Sequence, residues 1–327
     1  MIRTQTEEEW AQYVANYEFA NAYQPTCFAD PYSDRRRVIV TGFGRFLENT
    51  ENATGRMVSH LVPGLEYPET VRPPAGEVDD PAAQTRVVQS TIELPDGPVD
   101  VCGMILPVFW DVAAILVLKE IEAFQPDFVL MNGIAGSRQP MWIELGSVNE
   151  AVSLPDGSGT LAPVESGSKL IPEAPEEDRA RGLLLSWTEV RTRVEARLAD
   201  LSPERDAEGV AFGDLLQGVR FQTFPRSSNT YLCNNTTYAV NYLLDHPGQT
   251  YRLLEPSDPR EGGPVGLDIG LTTDLSSSPR VFVHWASTIS GEHLDRGAAL
   301  MREIIAAQLG AIEAPTRGDP AMADADL

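Results

Sequence analysis

The alternation of apolar, strand-like runs with a helical pattern is the feature that most constrains the fold of this chain. Residues 37–41 and 99–108 read as buried strands, residues 112–124 as a helix, and residues 126–136 as a further buried strand that ends in small residues. Strands that alternate with helices favour a mostly parallel sheet covered on both faces. The sequence therefore predicts an α/β fold, a three-layer α/β/α sandwich with a mostly parallel central sheet.

A lone cysteine, Cys233, lies where a predicted strand at 219–224 leads into a predicted helix at 234–244. A thiol at the start of a helix lies at the positive end of the helix dipole, which favours the nucleophilic thiolate. Taken alone, such a cysteine is more often a buried structural residue. Its interpretation as a nucleophile therefore depends on partners elsewhere in the chain.

Two other segments supply the residue types that a cysteine hydrolase needs. The strand at 126–136 is followed by Glu144 and then by Asn149, and the apolar run at 280–286 contains His284, one of only four histidines. A thiol nucleophile requires a base, and the base requires a group that orients it. Each of these residues alone would be read as a packing or surface residue, but together with Cys233 they favour a cysteine hydrolase.

Five short motifs follow one another in the chain. They are Gly42-Phe43-Gly44-Arg45-Phe46 with the nearby Asn52-Ala53-Thr54, Leu106-Pro107-Val108, the run from Gly133 to Asn149, Tyr231-Leu232-Cys233-Asn234, and Val281-Phe282-Val283-His284. In this order they resemble the pyroglutamyl peptidase I family, the pyrrolidone-carboxylate cysteine peptidases. The turn Pro155-Asp156-Gly157 is also similar to a turn of that family. The resemblance covers roughly residues 37–163 and 217–310, and it implies a phosphorylase/hydrolase-like sandwich.

The resemblance implies a cysteine omega-peptidase that hydrolyses the amide bond after an N-terminal pyroglutamyl residue. Cys233 would attack the carbonyl carbon and form a thioester, and His284 would carry the proton between the thiol and the leaving amine. Glu144 would orient the imidazole and stabilise its charged form. The expected substrate is a peptide or a small amide, and no cofactor is expected.

The resemblance also implies a slot for a flat lactam ring beside the nucleophile. Phe43, Phe46, Tyr231 and Ile134 are its expected substrate-binding residues, because aromatic faces can bury the ring while backbone groups bind its N–H and C=O. Phe43 and Phe46 are equally well explained as core residues. The backbone N–H of Cys233 is one expected oxyanion donor, and the sequence identifies no second donor.

Several positions depart from the family pattern. Ser228-Asn229 replace an Ala-Gly pair, Ser153 stands where many bacterial members have an arginine, and Arg45 and Leu47-Glu48 replace a proline and a Gly-Gly pair. These changes leave the three catalytic residue types in place. They keep two alternatives open: a cysteine amidase with another substrate, and a catalytically silent family member that acts as a binding or assembly protein.

Composition excludes several classes of partner. The net charge of −23 argues against nucleic acids and anionic membrane surfaces, which require a basic face, and 42% hydrophobic residues in a chain of 327 can bury a large core. Whether the chain forms a homo-oligomer stays open.

Cys27, Cys102 and Cys233 cannot all pair, no ligand spacing suggests a metal, and the first residues are too acidic for a signal peptide. A reducing, cytoplasmic location is expected.

The sequence also predicts how the chain is divided. Residues 1–36 form a helical extension, with a helix at 6–23 whose apolar stripe of Trp10, Val14 and Tyr17 or Phe19 packs on the outside of the core. Residues 37–312 form a single α/β domain with insertions at about 164–216 and 251–279, and residues 313–327 form a disordered acidic tail. The first insertion carries a helix at 179–201, and the second, with Arg45, is expected to border the entrance of the pocket.

Overall fold

A nine-stranded mixed sheet organises the chain in a computed structural model that describes residues 6–161, 166–226, 230–256 and 258–324. The strands are β1 (Arg37–Phe43), β2 (Arg86–Leu94), β3 (Gly97–Leu106), β4 (Phe128–Ile134), β5 (Gln139–Glu144), β6 (Gly146–Val148), β7 (Ala180–Gly182), β8 (Leu184–Leu185), β9 (Leu216–Gln222), β10 (Thr250–Leu253), β11 (Leu267–Gly270), β12 (Arg280–Trp285) and β13 (Thr316–Arg317). The α-helices are α1 (Glu7–Ala22), α2 (Ala53–Leu61), α3 (Pro81–Gln84), α4 (Val112–Phe124), α5 (Trp187–Leu201), α6 (Phe212–Leu215), α7 (Leu232–Asp245) and α8 (His293–Leu309).

The centre of the sheet is parallel and its edges are antiparallel. Strands β3, β1, β4 and β12 run parallel to their neighbours, and β2 is antiparallel at one edge. On its other side, β12 pairs antiparallel with β5 and with β8, and β9 continues beyond β5 in parallel. Helices α2, α5 and α8 form one packed group, and α1, α4 and α7 form the other. The groups cover the two faces of the sheet, and the predicted fold class is confirmed.

The N-terminal helix α1 packs on the core with the predicted apolar stripe, and it also buries polar residues. Its start is fixed by a capping box in which Thr6 and Glu9 bond each other's backbone N–H. The buried residues of α1 are Gln12, Tyr13, Asn16 and Ala20, whereas the predicted aromatic stripe is only partly buried. Two of the buried side chains, Gln12 and Asn16, are polar and are buried because they have hydrogen-bond partners in the interior.

The helix predicted at 179–201 begins only at Trp187. Residues before it form β7, which pairs with β6, and β8, which pairs with β12 and β13. These pairings satisfy backbone N–H and C=O groups of residues 180–185 in an extended conformation. The segment therefore forms strands although its sequence pattern is helical. Strand β2 also lies in a segment to which the sequence had assigned no element.

The second insertion packs against α4 instead of covering the pocket. It forms the β10–β11 hairpin, and the backbone N–H of Leu254 donates to the buried carboxylate of Asp111 at 2.7 Å. The backbone N–H groups of Thr272 and Thr273 donate to Glu122 of α4 at 3.0 and 3.3 Å. The predicted position at the pocket entrance was wrong, because these carboxylates hold the insertion beside α4.

The C-terminal segment is structured as far as Asp324. Strand β13 pairs with β8, and Asp324 accepts hydrogen bonds from the backbone of Phe221 and from Arg191 at 2.6 and 2.8 Å. The predicted disorder of this segment was therefore wrong for its described part. The division into one domain with two insertions stays a prediction.

Cys27 and Cys102 form a disulfide that joins the segment after α1 to β3. The expectation of a reducing compartment rested on unpaired cysteines, so this pairing removes its basis, and the cytoplasmic location stays a prediction. Within the described ranges, no helix has the length and apolar character needed to cross a bilayer.

Candidate active site

Three secondary-structure elements bring Cys233, His284 and Glu144 together. Glu144 is the last residue of β5, and His284 lies near the end of the adjacent strand β12, where it pairs with Trp142. Cys233 is the second residue of α7, which packs on β12. On the other side of β12, His284 pairs with Gly133 of β4. The sheet therefore fixes the base and the carboxylate, and the helix brings the thiol to them.

His284 is held between the carboxylate and the thiol. Its Nδ1 lies 2.7 Å from Oε1 of Glu144, whose side chain is only 3% exposed. Burial alone would lower the pKa of His284, but the charge and hydrogen bond of Cys233, together with those of Glu144, raise it to about 10. Because Nδ1 faces Glu144, Nε2 is the nitrogen left for the thiol. The raised pKa of His284 favours its imidazolium form beside Cys233.

The thiol is packed against the glycine that pairs with His284. A Cβ built on Gly133 would lie 2.9 Å from Sγ of Cys233 and 2.7 Å from Cζ of Phe282. Real Cβ atoms do not approach other atoms so closely, so this position has room for the thiol only because it is glycine. Cys233 itself is partly exposed and can therefore meet a substrate.

Two asparagines fix the start of α7. Asn234 accepts from the backbone N–H of Val148 and donates to its carbonyl, both at 2.8 Å, which ties the helix to β6. Asn235 donates to the carboxylate of Asp111 at 2.7 Å. The N–H of Cys233 lies in the first turn, where N–H groups have no partner within the helix. This N–H is therefore positioned as a hydrogen-bond donor next to its own sulfur.

Arg226 is a functional candidate that the sequence analysis missed. Its Nη2 donates to Oε1 of Glu144 at 2.6 Å, the same oxygen that faces His284. Among the described residues, Oε2 of Glu144 has no hydrogen-bond partner. Oε1 of the buried Glu144 carboxylate therefore contacts two side chains, those of His284 and Arg226. The only sequence signal was a basic residue in the loop between β9 and the nucleophile helix.

A cavity of about 420 Å³ opens beside the thiol. It is lined by Phe43, Phe46, Asn49, Glu51, Asn52, Val108, Ile134, Ala135, Tyr231, Leu232, Cys233 and Ser287. All four predicted substrate-binding residues therefore border the same cavity as the nucleophile. Phe43 is also part of the hydrophobic core, and its role in substrate binding stays a prediction.

Phe46 and Tyr231 form an aromatic wall of the cavity, and neighbouring residues hold this wall in place. The ring of Tyr231 meets those of Phe46 and Trp110 edge-on, with centroids 6.3 and 5.4 Å apart. The hydroxyl of Tyr231 donates to the carbonyl of Pro155, and Nε1 of Trp110 donates to that of Leu154 at 3.1 Å. The sequence analysis did not single out Trp110, which supports the wall by packing on Tyr231.

The other positions singled out from the sequence lie outside the catalytic cluster. Arg45 is fully buried and paired with Asp79, so its predicted place at the entrance was wrong. Asn149 binds the backbone of Ile171 at 2.8 and 2.9 Å. The backbone N–H of Ser153 donates to Ser166. Ser228 and Asn229 lie outside the described residues.

One group of potential metal ligands is found in the described part of the chain, and it is distant in sequence from the catalytic residues. It consists of the sulfurs of Cys27 and Cys102 with the carboxylate of Glu120. The two sulfurs are bonded to each other, whereas a metal would require thiolates. This group is therefore not proposed as a metal site.

Solved structures share this architecture. The chain is similar to pyroglutamyl peptidase I from Bacillus amyloliquefaciens, with a TM-score of 0.50 and 15% identity over 85% of this chain and 98% of that chain. It is also similar to a mutant pyrrolidone carboxyl peptidase from the hyperthermophile Pyrococcus furiosus, with a TM-score of 0.51 and 17% identity over 84% and 98% of the two chains.

The chain has the pyroglutamyl peptidase fold. No protein-family model and no curated protein matches the sequence. The fold is the one that the resemblance of the five sequence motifs implied.

Proposed function

We propose that this protein is a cysteine peptidase that removes an N-terminal pyroglutamyl residue from a peptide or a small amide. The observation that carries the proposal is the meeting of Cys233, His284 and Glu144 at the wall of an aromatic cavity. The pyroglutamyl peptidase fold of the chain supports it. The residue types and their contacts match the demands of thiol-based amide hydrolysis.

In the first half of the reaction, the Cys233 thiolate attacks the carbonyl carbon of the scissile amide. The C–S bond forms, and the carbonyl electrons move to oxygen. When the tetrahedral intermediate collapses, the C–N bond breaks and His284 gives its proton to the leaving amine. The products of this half are the free amine and a thioester on Cys233.

In the second half, water replaces the amine. His284, now neutral, takes a proton from the attacking water and keeps it while the sulfur departs as the thiolate, so that pyroglutamate is released and the starting enzyme is restored. Glu144 holds the Nδ1 proton of His284 and compensates the imidazolium charge. Arg226 holds the Glu144 carboxylate in place through its hydrogen bond to Oε1.

The oxyanion of both intermediates would accept from the backbone N–H of Cys233. The helix dipole of α7 adds a positive potential at the same point. The lactam ring would lie against Phe46 and Tyr231, with Ile134 and Phe43 closing the slot. A flat, weakly polar ring suits such a slot because aromatic faces bury its surface without requiring charged partners.

Hydrolysis of pyroglutamyl-aminocoumarin tests the proposal, with prolyl-aminocoumarin as the matched control. The two substrates differ in the ring carbonyl, so we expect turnover of the first and none of the second. Cys233→Ala should abolish turnover. Rapid alkylation of Cys233 without hydrolysis of the pyroglutamyl substrate would indicate a cysteine amidase with another substrate. Absence of both would favour a binding or assembly protein.

A further inference from the structure

The turn that carries Phe46 is held by a buried charge. Phe46 and Asn49 exchange both backbone hydrogen bonds, at 2.9 and 3.0 Å, and the enclosed Leu47 has a positive φ of 51°. A non-glycine residue rarely adopts this conformation without support. Nη1 of Arg45 supplies that support by donating to the carbonyl of Leu47 at 2.9 Å.

Arg45 is in turn fixed by Asp79. The Arg45 side chain has no exposed surface, and its Nη2 is ion-paired with the Asp79 carboxylate. The second carboxylate oxygen of Asp79 accepts from Gln84 at 2.7 Å. A buried ion pair is weak support for overall stability, since apolar residues of the same volume can do as well. It does fix the position of both partners.

The N-terminal helix holds the other end of this arrangement. The side chain of Gln12 in α1 both accepts from the backbone N–H of Asp79 and donates to its carbonyl, each at 2.8 Å. Gln12 also donates to Asn16 on the next turn of α1. A continuous chain of hydrogen bonds therefore runs from α1 through Asp79 and Arg45 to the turn of the substrate pocket.

We propose that Gln12, Asp79 and Arg45 are positioning residues through which the N-terminal helix sets the place of the Phe46 turn and thereby the affinity for the substrate ring. This inference rests on the proposed function, because Phe46 is there a wall of the lactam slot. It gives the N-terminal extension a role in specificity. We call the chain of hydrogen bonds from Gln12 through Asp79 and Arg45 to the Phe46 turn the relay. The nucleophile lies on other elements, so the relay acts on substrate binding and leaves the chemical step unchanged.

The test is the variant Gln12→Met, which keeps the side-chain volume but loses both bonds to Asp79. KM for pyroglutamyl-aminocoumarin should rise roughly threefold to tenfold, the equivalent of one or two lost hydrogen bonds, with kcat changed less. Arg45→Lys should act in the same direction, since an ammonium cannot hold Asp79 and Leu47 in the same planar fork. The alkylation rate of Cys233 should stay at the wild-type value in both variants.

Tyr13→Phe is the matched control. Tyr13 is the neighbour of Gln12 in α1, and its hydroxyl donates to the carbonyl of Leu254 at 3.0 Å, away from the Phe46 turn. This variant loosens the same helix without touching the relay, so KM should not change. Equal effects of Gln12→Met and Tyr13→Phe, or an unchanged KM in a folded Gln12→Met protein, would overturn the proposal.

Hydrogen exchange separates this inference from the proposed function. The amides of residues 46–49 should exchange faster in Gln12→Met than in Tyr13→Phe, whatever substrate the enzyme uses. If exchange rises as expected but no pyroglutamyl substrate is hydrolysed, the relay stands and the substrate assignment fails. If exchange in this turn is unchanged, the relay fails even if the enzyme is active.

Discussion

The Glu144 carboxylate lies between two cationic side chains, His284 and Arg226. Its contact with His284 helps to raise the pKa of that imidazole, which a pH profile of activity can measure. The pKa of His284 is raised, so its imidazolium form, which in the proposed mechanism donates a proton to the leaving amine, persists above neutral pH. Activity should be lost only as pH rises through this raised value. The same shift stabilises the fold fully below pH about 6.5, and that stabilisation disappears over the same alkaline range.

Glu144→Gln should move the alkaline limb of kcat/KM to lower pH. The variant keeps the shape of the side chain but removes a negative charge that raises the pKa of His284. We also expect kcat to fall by about a hundredfold, the lower end of what positioned proton transfer contributes. Glu150→Gln is the control, because Glu150 is a surface carboxylate paired with Arg179 at 3.0 Å. An unshifted limb in Glu144→Gln would mean that Glu144 does not act through His284.

Arg226→Gln should move the same limb in the opposite direction. Its guanidinium competes with His284 for Oε1 of Glu144, and a nearby positive charge disfavours the imidazolium. Removing that charge should raise the pKa of His284 further. Measuring kcat/KM against pH for both variants with the same substrate tests this prediction. A shift of the alkaline limb to lower pH in both variants would instead show that Arg226 acts by holding the Glu144 carboxylate against His284.

At the scale of secondary-structure elements, the close approach of β4 to α7 sets where the nucleophile lies. Gly133→Ala would place a methyl group 2.9 Å from Sγ of Cys233 and 2.7 Å from Phe282, so the thiol or the strand must move. We expect activity and Cys233 alkylation to fall at least tenfold in a protein that still folds, since a displacement of about 1 Å can cost a hundredfold in rate.

Gly136→Ala provides the comparison for this variant. At Gly136 the nearest atom to an added Cβ is the terminal oxygen of the flexible Gln139 side chain, at 3.0 Å. The same added methyl group should therefore be tolerated three residues further along the chain. Full activity of Gly133→Ala, or equal losses in both variants, would contradict the tight contact between the glycine and the thiol.

Elements whose pattern is local were predictable, and elements that depend on distant partners were not. The helix predicted at 112–124 is observed at Val112–Phe124, since its apolar residues report burial directly. Strands β8 and β13 exist only because they pair with each other and with β12. No local pattern marks a two-residue strand, so these elements were missed.

In the candidate site, too, residues with a local sequence pattern were predictable, and residues that depend on distant partners were not. His284 lies in a predicted strand and Cys233 beside the start of a predicted helix, so their sequence context carried information. Glu144 was singled out through the family resemblance, because its strand β5 was not predicted. The roles proposed for Arg226 and Gln12 depend on contacts with residues far away in the sequence, Glu144 and Asp79. A charged or polar residue has no pattern that reveals such a contact before the fold is known.

At the scale of the whole molecule, the disulfide ties the N-terminal segment to the sheet. Cys27 and Cys102 are separated by 75 residues, and closing a loop of this size typically stabilises a fold by about 2–4 kcal/mol. The double variant Cys27→Ala/Cys102→Ala should lose about that free energy of unfolding in urea titrations. In the wild type, brief iodoacetamide treatment should label Cys233 alone, and labelling of all three cysteines without reductant would contradict the pairing.

The net charge of −23 affects the molecule as a whole. Because carboxylates greatly outnumber cations, the folded chain repels itself, and compactness brings the like charges closer together. Salt reduces this repulsion, since the screening length falls from about 10 Å at 0.1 M to about 3 Å at 1 M. Buried pairs such as Arg45 with Asp79 are screened much less, so their attraction persists.

The melting temperature should therefore rise with sodium chloride, by on the order of several degrees between 0.05 and 1 M. Potassium chloride should act equally, because screening depends on ionic strength and not on the cation. Sulfate would add a stabilising exclusion from the surface, so chloride salts give the cleaner measurement. A melting temperature that falls with chloride would mean that favourable surface ion pairs, such as Arg56 with Glu51, outweigh the repulsion among the excess carboxylates.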